Sequence, residues 1–160
     1  MRKKLIAAVV LVLVAVAWYA FRPERLFIDN TVNETLAVPA TAMAAEPMTL
    51  AQGQFHSNAH ETTGNAAILS LADGRRILRL TNFSTSNGPD VRVYLVAAAD
   101  VADDETVKNS PFIELGPMKG NKGDQNYEIP ERADLARYRT VTIWCKRFSV
   151  NFGSAPLATS

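Results

Sequence analysis

Residues 51–157 predict an all-β fold, an antiparallel β-sandwich or barrel of about seven to nine strands. Three observations predict it. Short runs of aliphatic, β-branched and aromatic residues recur through this stretch. Asp73-Gly74 separates two of those runs, and that dipeptide supplies the positive φ angles of a tight hairpin turn. Pro89, Pro111, Pro117, Pro130 and Pro156 all fall between apolar runs, where turns belong. One N-terminal transmembrane helix and a linker are expected to precede this fold.

In chain order, residues 1–4 read as a basic cytoplasmic tail, with Arg2, Lys3 and Lys4. Leu5 to Phe21 follows without a charge, Pro or Gly. At 1.5 Å per residue its helix would be roughly 26 Å long, against a bilayer core of about 30 Å. Trp18 and Tyr19 stand near its end, where amphipathic aromatics favour the interface. Residues 5–21 thus read as a transmembrane signal-anchor with the domain extracytoplasmic, periplasmic or on the cell surface. A cleaved secretory signal is the rival, because Ala15-Val16-Ala17 has small-x-small spacing. Residues 22–50 read as a linker. From 29 to 49 they hold Ala, Thr, Asn, Glu and Pro without an aromatic, too little apolar surface to offset the entropy of ordering.

Within the body, Ala66 to Leu71 and Ile77 to Leu80 are the arms of the Asp73-Gly74 hairpin. Val91 to Val96 alternates as a half-buried strand does. Phe112 to Leu115 is another strand. Tyr138 to Phe152 is the longest β-prone stretch, read as one strand with Val141, Ile143 and Cys145 on one face and Trp144 on the other. Only 97–107 and 131–138 have room for helices. There is no internal repeat, and the body is long enough to bury a core without disulfides.

Composition narrows the function. The chain has 17 Lys plus Arg against 16 Asp plus Glu, so it carries no electrostatic footprint for nucleic acid. One Cys and 2 His exclude a Cys-rich zinc module and an internal disulfide. No hydrolase or transferase signature is present: Ser, His and Asp occur without a nucleophile elbow.

Four constellations could carry chemistry. Cys145 stands before Lys146 and Arg147, and nearby cations raise a thiol's thiolate fraction; a lone Cys in an apolar strand is otherwise a small buried hydrophobe. His56 and His60, with Cys145, make the inner set of a blue-copper site, but no His or Met follows the Cys, which removes the usual copper reading. A haem or iron pair of one His and one Cys has no spacing signal. Gly116 to Asp124 alternates Gly and Lys, either an anion cradle of backbone N–H groups or a wide hairpin loop. Asp100, Asp103, Asp104 and Glu105 do not follow the EF-hand ladder and read as a solvated loop.

Gly53-Gln54-Phe55-His56 with His60 and Gly64, Leu78 to Phe83, and Asn87 to Leu95 together resemble the DM-thirteen domain, the electron-transfer domain also found in Skeletor-type proteins. Trp144-Cys145-Lys146-Arg147-Phe148-Ser149-Val150-Asn151-Phe152-Gly153 is similar to that family's most recognisable motif. The resemblance covers the whole body. It implies an extracytoplasmic β domain, often accompanying haem-binding DOMON domains, and a redox role for the motif Cys as a bare thiol or as a ligand to a prosthetic group. That role maps onto Cys145, with His60 at the position of the family's early His. On this reading Cys145 is the catalytic residue, His60 and Cys145 are the cofactor-binding pair, and haem or a metal is the cofactor to test. The partners expected are the membrane and an envelope redox protein near its surface. The alternative is a non-enzymatic binding or structural module of the envelope, with Cys145 as core.

Overall fold

The computed structural model describes residues 2–21, 28–36 and 46–159. Helix α1 (Arg2–Phe21) comes first. Ten strands follow: β1 (Met48–Gln54), β2 (His56–Ser57), β3 (Thr63–Ser70), β4 (Arg76–Ser84), β5 (Val91–Val96), β6 (Phe112–Pro117), β7 (Lys122–Ile129), β8 (Thr140–Cys145), β9 (Val150–Pro156) and β10 (Ala158–Thr159), with helix α2 (Asp104–Asn109) between β5 and β6. They form two five-stranded sheets, β10-β1-β3-β4-β7 and β2-β9-β8-β5-β6, a sandwich rather than a closed barrel. The strands number ten rather than about seven to nine because β2 and β10, two residues each, add to the count.

The Asp73-Gly74 turn forms as expected. Gly74 has φ 84°, its N–H donates to the Leu71 carbonyl at 2.9 Å, and Leu71 N–H donates to Arg75 at 2.8 Å. The strands it joins send Ile68, Leu78 and Leu80 inward, each at most 1% exposed. The opposite sheet contributes Val93, Leu95, Val141, Ile143, Cys145 and Phe152 to the same apolar cluster. Burial of each large aliphatic there contributes roughly 1.5–3 kcal/mol.

The second sheet is buried on both faces. The alternation predicted for β8 holds: Val141, Ile143 and Cys145 face the main core, while Trp144 joins Tyr94, Val96, Val101 and Val107 in a second cluster. Val101 and Val107 come from the 97–110 segment, which folds over the outer face. Asp100, Asp103 and Glu105 are solvent-exposed, as expected of a solvated stretch, but Asp104 and Glu105 lie in α2 and the acidic residues also order the cover. Asp103 accepts the Thr106 N–H at 2.7 Å as the N-cap of α2, Asp104 accepts the Asn151 N–H at 2.6 Å, and Asp100 accepts the Val101 N–H at 2.7 Å.

Several expectations need correction. Tyr138–Phe152 is two strands, because Lys146 to Ser149 turn back on themselves with Ser149 at φ 54°. No Gly, Pro or Asn marks that turn, so its composition reads as strand. Residues 131–138 form turns that start from Pro130 and Asp134, with Ala133 N–H on Pro130 and Tyr138 N–H on Asp134. Strand β7 lay hidden in polar sequence, since it borders the first sheet and needs few apolar residues. Gly116 to Asp124 is neither a cradle nor one wide loop: β6 ends and β7 begins within it.

The linker over 22–50 is only partly a linker. Residues 22–27 and 37–45 lie outside the described residues. Met48 to Leu50 already belong to β1, and residues 28–36 lie along β7 as a strap. Val32 N–H donates to Lys122 and Glu34 N–H to Asp124, both at 2.9 Å, and Thr31 bridges Lys122 in parallel. Gly120 and Gly123 make room, since a Cβ on Gly123 would stand 2.2 Å from the Val32 carbonyl oxygen. Polar groups hold the strap where apolar area is lacking: Lys119 contacts both Glu34 carboxylate oxygens at 2.8 Å, and the Asn126 N–H donates to Glu34 at 2.8 Å.

Helix α1 forms where the apolar run predicts one. Among the described residues no helix is long and apolar enough to cross a membrane. Three of its first residues are the cations Arg2, Lys3 and Lys4, which shorten the apolar part. The transmembrane reading of 5–21 therefore does not follow from the helix alone.

Candidate functional site

The β8–β9 hairpin positions the predicted site. Cys145 is the last residue of β8 and pairs with Val91 of β5 and Val150 of β9. Its inward direction follows from the alternation that also sends Ile143 inward. The thiol is free, 2% exposed and surrounded by the main apolar cluster. A partner thiol cannot reach it without opening the hairpin.

The strand opposite is irregular in a way that matters. Ile143 pairs with Gly153 but Trp144 pairs with Asn151, so Phe152 is an extra residue in β9. The bulge puts Asn151 and Ser154 on one face, with Asn151 Nδ2 3.1 Å from Ser154 Oγ. Both are fully buried, and Asn151 also donates to the Val101 carbonyl at 3.2 Å. The bulge also turns the Phe152 ring into the core beside the cluster that holds Cys145.

His60 reaches the same neighbourhood from the loop after β2. The backbone N–H groups of Asn58, Ala59 and His60 donate to Phe152, Asn151 and Phe152 at 3.0, 3.0 and 3.2 Å. The loop can lie this close because Gly153 has no Cβ, which would otherwise stand 2.5 Å from Thr62. The His60 ring lies 3.9 Å from the Phe152 ring, centroid to centroid, tilted by 43°. No hydrogen bond to its ring nitrogens occurs among the described residues. Cys145 pairs with Val150 at the start of β9, and His60 meets the same strand at Phe152. His56 is not part of this group: its Nε2 contacts Asp100 at 2.9 Å and ties β2 to the 97–110 cover.

His60 and Cys145 do not by themselves make a closed metal site. No group of three or more His, Cys, Asp or Glu side chains that could hold an ion occurs among the described residues, and the sulfur has no open space lined by it in the clefts at this end. A cleft of about 490 Å³ lies one residue away, lined by Ile28, Gly88, Val91 and Met118 among others. Its Val91 wall is the β5 partner of Cys145.

Sequence reasoning missed the strap, the bulge and this cleft. A Gly-rich β6–β7 connection was the one visible signal of a close approach, because a backbone that must lie against another segment selects Gly.

A family model described as electron transfer DM13 matches residues 54–157, the sandwich from the end of β1 to the residue before β10. No curated protein and no solved structure matches the chain.

Proposed function

The chain belongs to the electron transfer DM13 family, and on that premise we propose that it is a membrane-attached electron-transfer domain with Cys145 at its redox site. The observation that carries this reading is the family match across residues 54–157, which includes the whole Trp144–Gly153 hairpin. Cys145 is the sole thiol of the chain, and His60, with ring nitrogens unbonded among the described residues, is the second residue of the site. Burial at 2% exposure argues against mixed disulfides at the surface, because a mixed disulfide needs direct attack on the sulfur.

We place the domain outside the cytoplasm and α1 in the membrane. The support is the charge-free stretch from Leu5 to Phe21 behind three cations, and the exposure of every apolar side chain from Leu5 to Tyr19. Resistance of the chain to carbonate extraction from its host membrane supports this placement; release into the wash overturns it.

The test of the redox role is spectroscopic. The full chain is purified from membranes, and absorption and paramagnetic-resonance spectra are taken oxidised and reduced, for wild type and Cys145→Ala. A redox-dependent signal present in wild type and lost in the variant supports the site. Identical, redox-silent spectra overturn it.

A second reading has a specific observation in its favour. Cys145 packs among apolar neighbours as an ordinary core residue does. On that reading the domain is a binding or structural module of the envelope, and Cys145→Ala changes stability alone.

A further inference from the structure

We propose that the turn between β8 and β9, Lys146 to Ser149, is a membrane-seating tip: Lys146 and Arg147 take anionic lipid headgroups while Phe148 enters the bilayer surface. This deepens the membrane reading above and rests on it.

Phe148 is 66% exposed, although it is a large apolar side chain with no aromatic contact among the described residues. Lys146 and Arg147 beside it are exposed as well. Lys146 shares Glu114 with Arg92, at 3.2 Å and 2.9 Å, and Arg147 has no ion pair among the described residues. An exposed aromatic preceded by two cations is the chemistry of an interfacial anchor: the ring gains apolar burial and the cations gain anionic partners.

The topology places this tip at the end of the sandwich where the chain arrives. Lys146 N–H donates to Asp90 at 2.8 Å and Met118 N–H to Val91 at 2.9 Å. Asn87 donates to the Ile28 carbonyl at 2.6 Å, so the strap begins beside the same loops. Ile28 is itself 61% exposed. From Phe21 to Ile28 the backbone spans seven residues, about 25 Å when fully extended. If α1 lies in a bilayer, its tether holds this end of the domain against that bilayer.

The acids nearest the turn are engaged, which leaves Arg147 as its cation without an ion pair among the described residues. Asp29 is engaged by Lys122 and Asn121, Asp90 by Arg92 at 2.5 Å, and Asp104 by the Asn151 N–H. Glu61, Asp103 and Asp104 are without an ion pair among the described residues, the last two accepting backbone N–H groups instead. The opposite end has exposed Met48 and Phe112, but Phe112 is stacked on Tyr94 with ring centroids 4.5 Å apart. A bilayer is the occupant chosen over a protein because the chain's own tether supplies the proximity.

Proteolysis tests this, with the far end as internal control. The full chain is placed in nanodiscs of phosphatidylcholine alone or with roughly one-third phosphatidylglycerol. Trypsin then has sites at Lys146 and Arg147 in the tip, and at exposed Arg75 in the far Asp73-Gly74 turn. Each cation near an anionic surface favours seating about fivefold. Tip cleavage should therefore slow about tenfold or more on the anionic discs, with cleavage after Arg75 unchanged. Salt at about 1 M, where the screening length falls to about 3 Å, should restore it, and Phe148→Ser should remove most of the protection. Equal tip cleavage on both discs overturns the proposal while the anchor stands. Protection that persists in detergent without lipid overturns it in favour of a protein contact. A chain that fails to enter discs at all overturns the anchor and the tip together.

Discussion

Gly123→Ala should detach the strap, and Gly74→Ala shows how much of its effect comes from the strap. Both glycines have positive φ, 94° and 84°, so each substitution carries a backbone penalty of about 1–2 kcal/mol. They differ in surroundings. Nothing lies within 4 Å of a Cβ at position 74, whereas at 123 it would stand 2.2 Å from the Val32 oxygen and 2.6 Å from Asn33 Oδ1. Backbone atoms do not yield that far, so residues 31–34 must lift. Lifting breaks the Val32 and Glu34 backbone hydrogen bonds, worth about 0.5–1.5 kcal/mol each. The exposed ion pairs of the strap add little. Gly123→Ala should therefore lie about 1–3 kcal/mol below Gly74→Ala, a large share of a typical domain stability of about 5–15 kcal/mol. Urea titration followed by the fluorescence of buried Trp144 measures the difference. Hydrogen exchange at the Val32 and Glu34 amides locates it: both should be protected in wild type and Gly74→Ala, and fast in Gly123→Ala. Equal stabilities of the two variants, with both amides still protected in Gly123→Ala, would refute the account of the strap as a docked segment.

Three further outcomes follow from the core. Cys145→Ser leaves a hydroxyl without a partner among apolar residues and should cost about 1–3 kcal/mol, more than Cys145→Ala at roughly 1 kcal/mol; a thiol reagent should react with wild type only as denaturant unfolds it. Trp144→Ala removes the largest side chain of the second cluster and should cost about 3–5 kcal/mol, with earlier proteolysis of the 97–110 cover; unchanged urea midpoints would show that the cover does not depend on it. Burial pushes the Tyr127 hydroxyl up to about 12, above its value near 10 in an unfolded chain. The neutral form is thus favoured by folding, so this contribution is intact below about pH 10 and is lost as pH rises towards about 12. Tyr127→Phe should lessen the alkaline loss of stability, read as the urea midpoint between those two pH values.

The sequence made legible those parts of the fold that repeat a local rule. Asp73-Gly74 announced its hairpin through the φ angles it allows, and the period of two placed Ile143 and Cys145 opposite Trp144 without any structure. The Lys146–Ser149 turn escaped because Ser149 takes the left-handed position without a Gly or Asn to signal it. Strand β7 escaped because an edge strand covered by a polar strap has no need of apolar alternation. The strap itself is held by Asn, Asp, Glu and Lys side chains from two stretches some ninety residues apart, and polar composition read alone means only solubility. At the site, the Trp-Cys motif was visible and its burial was not. Burial depends on β5, β9 and the opposite sheet meeting over the sulfur, a long-range fact that no window of sequence contains.

The strap also decides how the domain bears a pull. It runs parallel to β7, so tension applied at Ile28 along that direction acts along the strap's own axis. Its hydrogen bonds to Lys122 and Asp124 are then loaded together in shear, rather than peeled one after another as in a hairpin opened from its end. Behind the strap, β7 is stitched along its length to β4, so the load spreads into the first sheet and bypasses the β8–β9 hairpin. A pull on the strap can thus leave the environment of Cys145 undisturbed.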